Sequence, residues 1–551
     1  MLSLFRGYFV FAWCTLMNKT SANSPVLVVG GRTTGLIMAA ELARHDVAVR
    51  IIDKSPGIDP HCRATVLHSR SLEILHSLGI VDDIVACAQP LLGVSLYVNG
   101  EARGRSDELP VDSPFPLSLG LPQATTETIL EKHLNSLGVF VERSTQLTSL
   151  EQSADTVHAS LLHDDGREEI VETPWVIGCD GAHSTVRHLT EKTFPGEADP
   201  YPYLLADVVI DGALEPGDAY FFLHDDGELF LFILNEGRRF VVANVAKETD
   251  ITKAPTLEQV QELVTHRSGH DFHLSDPRWL AHFHINYRLA PHYRHGRTFL
   301  AGDAAHVHSL LGGLGMNTGI QDAHNLAWKL ALVMRSDAPA AWLDTYEIER
   351  RQVAEDVIAT TKLATQNAEL FAELSSTDRE KLVAHMFVPE GEKMRVRNHE
   401  EQIDLDYRSS PICVEPEEGF AHGPHPGARA VDSPILLDGQ PCQFYDLLCS
   451  PKHCLFLFAP ASHAGSSSEL TAAAEAVARD HGHWIAVHIV DDWNVETKVS
   501  SNVTRIEDPQ QTLRQRYGIE STGMYLIRPD GYVAYRSRRL DSLDKYLAHV
   551  L

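Results

Sequence analysis

The pattern of apolar and polar positions near the amino terminus predicts a strand, a helix and a second strand in close succession. The stretch SPVLVVG, residues 24–30, is a continuous apolar run, as expected of a parallel strand that is buried on both faces. The following LIMAAELARH places its apolar residues on one side of a helix, and DVAVRIIDK is another apolar strand, ending near Asp53. These segments predict a β-α-β unit.

Further along the chain, the period of the pattern changes. Segments such as YLLADVVIDG and RRFVVANVA alternate apolar and polar residues between DDG and NEG turns, so residues 196–289 are predicted to form an antiparallel sheet. RTFLAGDAAH is again a buried strand with a glycine turn, and a long helical stretch follows from about residue 318 to 370. The Pro-, Gly- and Glu-rich segment 401–426 predicts a linker before a separate β/α pattern at 427–551.

Composition narrows the class of partner. The chain has 551 residues and a formal net charge of −28, which argues against nucleic acid or an anionic membrane as a partner. None of the eight cysteines forms a C-x-x-C pair, which predicts reduced thiols in a cytoplasmic protein. Residues 1–23 form an amino-terminal extension whose apolar run is too short for a stable membrane span, although a targeting or anchoring role stays open.

Glycines at strand–helix turns indicate a nucleotide site. The stretch VVGGRTTGL departs from the dinucleotide fingerprint, which has glycine at its first, third and sixth positions, because Arg32 stands between Gly30 and Gly35. Unpaired N–H groups at a helix start attract phosphate, and an acid at the end of the second strand, here Asp53, accepts ribose hydroxyls. Two further turns place an aspartate after a strand, Asp180 in GCDGAHSTVR and Asp303 in FLAGDAAH.

These segments resemble the single-component FAD-dependent aromatic hydroxylases, the relatives of phenol hydroxylase and para-hydroxybenzoate hydroxylase. The resemblance runs from about residue 25 to 390 and is most specific in GMNTGIQDAHNLAWKL and LDTYEIERR. Arg63 in CRATVLHSRSLEILHSLGI matches an arginine of the family near the flavin, and Gln123 in GLPQATTETILEKHL matches its flavin-contacting glutamine. The region from about residue 427 resembles the thioredoxin-like domain of many phenol hydroxylase relatives.

The resemblance implies an α/β fold class. It consists of an FAD-binding Rossmann-like domain of the glutathione reductase type, a mixed or antiparallel substrate-binding sheet, and a C-terminal thioredoxin-like α/β domain. The FAD-binding domain would span 24–195 and 290–400, the substrate-binding sheet 196–289, the linker 401–426 and the thioredoxin-like domain 427–551. Without a C-x-x-C pair the last domain would be structural or dimer-forming, which leaves a homodimer open.

The resemblance also implies a reaction. NADPH or NADH would reduce bound FAD, and the reduced flavin would react with O2 to give a C4a-hydroperoxide that hydroxylates a phenolic or polyketide-like aromatic small molecule. Asp180, Gly181 and Arg187 would lie in the region tied to both nucleotides. The residues expected to bind the cofactor are Gly30, Arg32, Gly35, Asp53, Arg63, Gln123, Asp180, Asp303, Gly313, Gly315, Met316 and Asn317.

A phenol must lose its proton to become a good nucleophile, so a base or a proton relay is expected, and the sequence alone does not assign it. No metal site is predicted, because His306 and His308 lie inside the flavin motif without an evident third ligand. The candidates for the base in the substrate lobe are Tyr201, Tyr203, Tyr220, His224, His284, Tyr287 and Arg288.

Four residues depart from the family pattern near the flavin. Arg32 replaces a glycine, where a side chain crowds the pyrophosphate unless its guanidinium pairs with the phosphate oxygens. Ser309 and Leu310 stand where relatives have prolines, and Leu314 stands where a polar residue is common. These departures leave two alternatives open. One is the same fold used for epoxidation, Baeyer–Villiger insertion or non-redox cyclisation, and the other is a flavin-poor binding protein.

Overall fold

The computed structural model describes residues 24–61, 64–190, 193–234, 237–371, 390–416, 420–460, 467–491 and 500–550, with a few single residues between 374 and 383. The helices are α1 (Thr33–Arg44), α2 (Ser69–Ser77), α3 (Val81–Cys87), α4 (Gln123–Ser136), α5 (Thr185–Thr190), α6 (Leu257–Ser268), α7 (Leu314–Met334), α8 (Asp344–Leu370), α9 (Glu390–Glu400), α10 (Phe444–Leu447), α11 (Ser467–His481), α12 (Thr512–Arg516) and α13 (Leu543–Val550). Within the described ranges, none of them is both long and apolar enough to cross a membrane.

The strands up to residue 211 are β1 (Val26–Val29), β2 (Val49–Ile52), β3 (Val66–Leu67), β4 (Gln89–Pro90), β5 (Gly93–Val98), β6 (Glu101–Asp107), β7 (Leu119–Gly120), β8 (Val141–Glu142), β9 (Thr145–Gln152), β10 (Val157–His163), β11 (Glu168–Thr173), β12 (Val176–Gly178) and β13 (Gly196–Asp211). Those that follow are β14 (Asp218–His224), β15 (Gly227–Ile233), β16 (Arg238–Asn244), β17 (His273–Leu289), β18 (Arg294–His295), β19 (Thr298–Leu300), β20 (His306–Val307), β21 (Pro434–Leu437), β22 (Gln440–Gln443), β23 (His453–Phe458), β24 (Ile485–Asp491), β25 (Val503–Glu507), β26 (Gly523–Ile527) and β27 (Val533–Ser537).

The apolar run at residues 26–29 lies inside a six-stranded sheet with the order β18-β19-β12-β1-β2-β8. Strand β1 pairs in parallel with β2 and β12, and β12 pairs in parallel with β19. Val26, Leu27 and Val28 have no exposed surface, which is why the strand shows no polar alternation. The predicted β-α-β unit is therefore confirmed, and the carboxyl ends of these parallel strands meet at one edge of the sheet.

An eight-stranded sheet with the order β20-β17-β13-β16-β15-β14-β5-β6 forms the second layer. Its strand pairs are antiparallel except for β14 and β5, which run in parallel. The antiparallel sheet predicted for residues 196–289 is thus present, and residues 93–107 extend it at one edge. Those two strands come from the segment assigned to the FAD-binding domain by sequence, so the domain boundaries stay a prediction.

Two helices make up the helical stretch predicted from about residue 318 to 370. Helix α7 begins at Leu314, four residues earlier than predicted, and is buried along most of its length. The break after it includes Ser336, whose φ of 64° lies in the left-handed region, and a short 3₁₀ turn at Ala340–Leu343 leads into α8.

The carboxyl-terminal region is a second α/β unit, built on a seven-stranded sheet with the order β22-β21-β25-β24-β23-β26-β27. Its apolar residues pack directly on α7, since Trp328 shares one buried cluster with Leu455 and Met524. Part of the segment predicted as a linker is buried too: Glu401 has no exposed surface and Tyr407 is 2% exposed. The unit is therefore held by an extended interface as well as by the chain connection.

Glu349 of α8 is the centre of a buried group of charges at this interface. Its carboxylate accepts hydrogen bonds from both terminal nitrogens of Arg528 at 2.8 Å and from the Lys329 ammonium at 2.7 Å. The Arg528 Nε also donates to Asp530 at 2.8 Å. Burial by itself raises the pKa of Glu349, but Arg528 and Lys329 outweigh burial and lower this pKa well below its usual range.

We expect Arg528→Met to lower the free energy of unfolding by about 3–5 kcal/mol, because the substitution leaves buried carboxylates without their shared guanidinium. Chemical denaturation followed by circular dichroism measures the loss. The matched control is Arg539→Met, which removes an exposed arginine that also pairs with an aspartate two residues on, Asp541, and should cost less than about 1 kcal/mol. Equal losses in the two variants would contradict a central role for the buried group.

Candidate active site

A cavity of about 1560 Å³ lies between the carboxyl ends of the parallel strands, the start of α7 and the eight-stranded sheet. Ligands of α/β proteins commonly bind outside the carboxyl ends of parallel strands. The residues of the predicted cofactor site that line the cavity are Gly30, Arg32, Asp53, Gln123, Asp180, Asp303, Gly313, Gly315 and Met316. Gly35 and Asn317 lie behind this lining, and Arg63 lies outside the described residues. Their contact with a cofactor stays a prediction.

The turn between β1 and α1 requires glycine at two positions. Gly30 has a φ of +111°, and a Cβ there would overlap the carbonyl oxygen of Cys179. A Cβ at Gly35 would overlap the carbonyl oxygen of Gly30, so the helix begins directly against the end of the strand. This close approach brings the first turn of α1 to the cavity wall, where N–H groups without a partner inside the helix favour an anion.

Arg32 at the start of α1 forms ion pairs with two carboxylates. Its Nε donates to Oε1 of Glu127 at 3.2 Å, and its Nη1 donates to Oδ2 of Asp59 at 3.4 Å. Glu127, buried on α4, also accepts from the Thr33 N–H at 3.2 Å and from the Gln123 side chain at 2.8 Å. The guanidinium therefore offsets two negative charges beside a helix start that is otherwise suited to a phosphate.

Asp53 ends β2 as predicted, and its carboxylate shapes the turn. Oδ2 accepts from the Gly31 N–H at 2.6 Å and Oδ1 accepts from the Ser55 N–H at 2.7 Å, which leaves lone pairs for a ribose hydroxyl. Arg143 lines the same part of the cavity and donates to Glu131 at 2.6 Å. Arg143 and Glu127 could not be identified as site residues from the sequence, because neither lies in a glycine turn or at the end of a recognisable strand.

Asp180 caps a helix next to the cavity. Its carboxylate accepts from the Ser184 hydroxyl at 2.5 Å and from the Thr185 N–H at 2.6 Å, at the start of α5. Arg187 of this helix donates to the carbonyl oxygen of Ala304 at 2.8 Å. The turn after β12 is thereby joined to the turn after β19, which carries Asp303.

Asp322 of α7 stabilises the turn that carries Asp303 through hydrogen bonds to residues on either side of it. The fully buried carboxylate accepts from the Gly302 N–H at 3.0 Å, from Nε2 of His306 at 2.7 Å and from Nε of Arg350 at 2.8 Å. Burial raises the pKa of Asp322, but His306 and Arg350 outweigh burial and lower it. His306 is therefore part of the support of this turn.

Asn317 fastens the glycine-rich segment to β3. Its Oδ1 accepts from the His68 N–H at 2.9 Å, and its Nδ2 donates to the carbonyl oxygens of Val66 at 2.9 Å and Gly313 at 2.6 Å. Gly313 has a φ of +65°, and a Cβ there would come within 3.1 Å of the Val66 side chain. Gly312, Gly313 and Gly315 line the cavity without side chains, so residues 312–315 present mainly bare backbone to the cavity, with Leu314 as the one side chain among them.

The eight-stranded sheet forms an aromatic end of the cavity. The aromatic side chains that line it are Phe221, Phe230, Phe232, Phe240, Trp279 and Phe283. His284 and Arg288, two of the candidates for the base, line the cavity as well. The other candidates, Tyr201, Tyr203, Tyr220, His224 and Tyr287, are not among its lining residues. His224 lies at the end of β14, where Asp226 contacts both it and His266.

Three residues at the glycine-rich segment depart from the family pattern, and each of them contacts an identifiable neighbour. The Ser309 hydroxyl lies 2.8 Å from Oγ1 of Thr365 on α8. Leu310 packs against the aromatic cluster of the substrate lobe, and Leu314 packs with Val353. These three side chains form part of the cavity wall and do not fill the cavity.

Buried polar atoms of the lining fit a large polar ligand. Arg32 Nη2, Glu127 Oε2 and His308 Nε2 have no hydrogen-bond partner within the described part of the chain. Burial, with a further contribution from His306, lowers the pKa of His308 to about 4, so its imidazole is neutral at neutral pH. Together with the start of α1 and the bare backbone at 312–315, these atoms suit FAD, which has an anionic diphosphate and a planar ring with polar edges.

Comparison with known proteins decides the family. The family described as FAD binding domain matches residues 23–361. The 6-methylpretetramide 4-monooxygenase of Streptomyces rimosus is 32% identical over 93% of this chain and 91% of its own length. The chain belongs to the FAD-dependent aromatic monooxygenases.

A second relative and a solved structure agree with this assignment. The pentachlorophenol 4-monooxygenase of Sphingobium chlorophenolicum is 30% identical over 94% of each chain. The ternary complex of aklavinone-11 hydroxylase with FAD and aklavinone superposes with a TM-score of 0.77 at 26% identity, covering 97% of this chain and all of that one. The predicted resemblance, the fold class, FAD as cofactor and NAD(P)H as co-substrate of this monooxygenase are therefore confirmed.

We expect Arg32→Gly to weaken FAD binding about tenfold or more, because Glu127 and Asp59 then face the diphosphate without their cation. Titration of FAD into the apoprotein, followed by flavin fluorescence, measures the dissociation constant. Arg32→Lys keeps the charge without the planar fork and should give an intermediate value. Tighter binding by the glycine variant would show instead that the arginine side chain crowds the phosphates.

Proposed function

We propose that this FAD-dependent monooxygenase hydroxylates a polycyclic phenolic substrate of the polyketide type. The observation that carries the proposal is the aromatic end of the cavity, whose lining also includes the largely bare backbone at 312–315. The cavity of about 1560 Å³ exceeds the roughly 300–1000 Å³ that suits one drug-sized ligand, so it accommodates a large second ligand beside a cofactor. The names of two relatives, which specify 6-methylpretetramide and aklavinone, support the same class.

In this proposal each part of the lining takes one part of FAD. The start of α1, with Gly30, Arg32 and Gly35, holds the diphosphate, while Asp53 holds the ribose and Asp303 the ribityl chain. Gln123, Gly313, Gly315, Met316 and Asn317 form or support the seat of the ring, and Asp180 supports the region shared with NAD(P)H. Bound FAD, once reduced by NAD(P)H, supplies the activated oxygen that is transferred to the substrate ring.

The chain itself orients the substrate and keeps water away from it. The rings of Phe221 and Phe230 meet edge to face with centroids 4.9 Å apart, and they form a rigid apolar wall against which a flat substrate stacks. His308 lines the cavity close to Gly315, and Nε2 of its neutral imidazole is available to a phenolic hydroxyl. A fixed substrate in a dry cavity places the reacting carbon close to the flavin.

Purified protein should show the absorbance bands of bound flavin, and phenols with three or four fused rings should stimulate NAD(P)H oxidation more than single-ring phenols do. Consumption of NAD(P)H and O2 together with mass analysis of the product measures this. Absence of flavin even after addition of FAD would overturn the proposal. Bound flavin without stimulation by any phenol would favour epoxidation, Baeyer–Villiger insertion or cyclisation instead.

Phe221→Leu should raise KM for a polycyclic phenol several-fold with little change in kcat, because the ring contributes equally to binding of substrate and transition state. The matched control is Phe222→Leu. Successive residues of a strand point to opposite faces, and Phe222 is buried in the cluster on the other side of the sheet. Phe222→Leu should lower stability and leave KM unchanged, so equal effects on KM would contradict the assigned wall.

A further inference from the structure

Three side chains of types that bind metal ions meet on the surface of the substrate lobe. His224 ends β14, Asp226 lies in the turn to β15, and His266 lies in the last turn of α6. One ligand atom from each of them lies within 4.8 Å of the other two. In the described part of the chain, this is the one group of three or more histidine, cysteine and acidic side chains close enough to share a metal ion.

The spacing of these atoms is close to that of a tetrahedral zinc site. Oδ2 of Asp226 lies 2.7 Å from Nε2 of His266 and 3.6 Å from Nδ1 of His224. Zinc binds nitrogen and oxygen at about 2.0–2.2 Å, which places tetrahedral ligand atoms about 3.3 Å apart. The side chains of His266 and Asp226 are 61% and 65% exposed, so small rotations bring the three atoms to this spacing.

The backbone that carries the three side chains is held in place by Arg267, which follows His266 in the chain. The Arg267 guanidinium donates to the carbonyl oxygen of Asp226 at 2.7 Å and to that of Asn244 at 2.8 Å. Gly227 adds a second constraint, because its φ is +118° and a Cβ there would overlap Oδ1 of Asn244. The end of α6 and the β14–β15 turn are therefore held together by the protein itself.

One of the two imidazoles presents an unprotonated nitrogen to the group. Nδ1 of His224 accepts from the Asp226 N–H at 3.0 Å, so this nitrogen has a lone pair and no proton. Burial, followed by repulsion from His266, lowers the pKa of His224, which keeps its ring neutral at neutral pH. The ring centroids of the two histidines lie 4.7 Å apart, so two protonated rings would repel each other. A divalent ion avoids this repulsion, because both rings bind it in their neutral form.

The charges around the group favour a cation. Asp225 precedes Asp226 in the turn, and the whole chain has a formal net charge of −28. Two arginines lie nearby, and both have partners of their own: Arg267 donates to backbone carbonyls and Arg379 pairs with Asp225. A bound dication therefore adds its charge to an acidic surface.

Two imidazoles and one carboxylate also select the class of ion. Magnesium and calcium prefer oxygen ligands, whereas imidazole nitrogen suits zinc and other divalent transition metals. Three ligands from the protein leave the fourth tetrahedral position to a water molecule. The group is therefore suited to zinc and unsuited to magnesium.

We propose that His224, Asp226 and His266 bind one zinc ion, or a divalent transition-metal ion of the same preference, on the surface of the substrate lobe. The ion joins the end of α6 to the turn between β14 and β15. These two strands carry Phe221 and Phe230 of the aromatic end of the cavity, so the ion stabilises this end of the sheet. The site takes no part in oxygen transfer and does not depend on the identity of the substrate.

Zinc binding is tested with FAD-loaded protein from which a chelator has removed metal ions. Calorimetric titration should show one zinc ion per chain bound more tightly than any other, and zinc should raise the midpoint of thermal unfolding because it binds the folded state. Magnesium should do neither.

His266→Gln and Asp226→Asn should each weaken this zinc binding at least tenfold, since even the outer partners of metal ligands contribute about 10–100-fold to affinity. Both substitutions are at exposed side chains, so the variants should keep their bound flavin. The matched control is His158→Gln on β10, an exposed histidine that forms a pair with Glu172 at 3.9 Å rather than a group of three. It should bind zinc as the unchanged protein does.

Equal zinc affinity in His266→Gln, Asp226→Asn and His158→Gln would overturn the site, as would failure of the unchanged protein to bind zinc. An equal loss in all three variants would overturn it too, because binding would then not depend on these ligands in particular. Tight zinc binding without a rise in the unfolding midpoint would overturn the stabilising role. The proposed hydroxylation stands in each case, because flavin absorbance and NAD(P)H oxidation test it separately.

The position of the ion is tested by diffraction. Crystals grown with zinc should show an anomalous difference peak at the zinc absorption edge, about 2.0–2.2 Å from the ligand atoms of His224, Asp226 and His266. Crystals of His266→Gln should lack this peak. A peak elsewhere and none between β14 and α6 would overturn the assignment of the ligands.

Discussion

The buried carboxylate of Asp322 holds the two sheets and the two long helices in one arrangement. It accepts from Gly302 after β19, from His306 on β20 and from Arg350 on α8, while it belongs itself to α7. A buried carboxylate without its partners would strongly destabilise the folded state. Asp322 is therefore stable only where all of its hydrogen-bond partners are in place. Because β20 is the edge strand of the eight-stranded sheet, the same contact sets the aromatic wall against the nucleotide end of the cavity.

Two departures from the family pattern gain a physical meaning in this framework. Arg32 occupies a position that suits glycine, but its guanidinium lies between the carboxylates of Glu127 and Asp59 and offsets their charge at the start of α1. Ser309 occupies a position that suits proline, and its hydroxyl links the cavity to α8. Glycine and proline at these two positions would act mainly through backbone conformation. Arg32 and Ser309 act instead through the contacts of a charged group and a hydroxyl group.

Parts of the fold and the site follow from local sequence. The apolar run at β1, the glycines of the β1–α1 turn and Asp53 at the end of β2 form one contiguous unit, so pattern and geometry agree there. Strands β5 and β6 could not be assigned to the eight-stranded sheet in this way, because they lie more than a hundred residues from the strand they join. The Pro, Gly and Glu content of the segment 401–426 predicts a linker, yet Glu401 is buried against Arg397 and Ser118.

By itself, the sequence determined the features that depend on neighbours along the chain: the helical and strand periods, the glycines that close turns, and the family motif at residues 315–330. The tertiary structure alone decided which side chains meet across those elements. The pairing of Arg32 with Glu127 and the contact of Ser309 with Thr365 join residues on separate segments of the chain. Polar contacts between distant segments leave no periodic trace in the sequence, because their partners are selected by the packing of sheets and helices rather than by spacing along the chain.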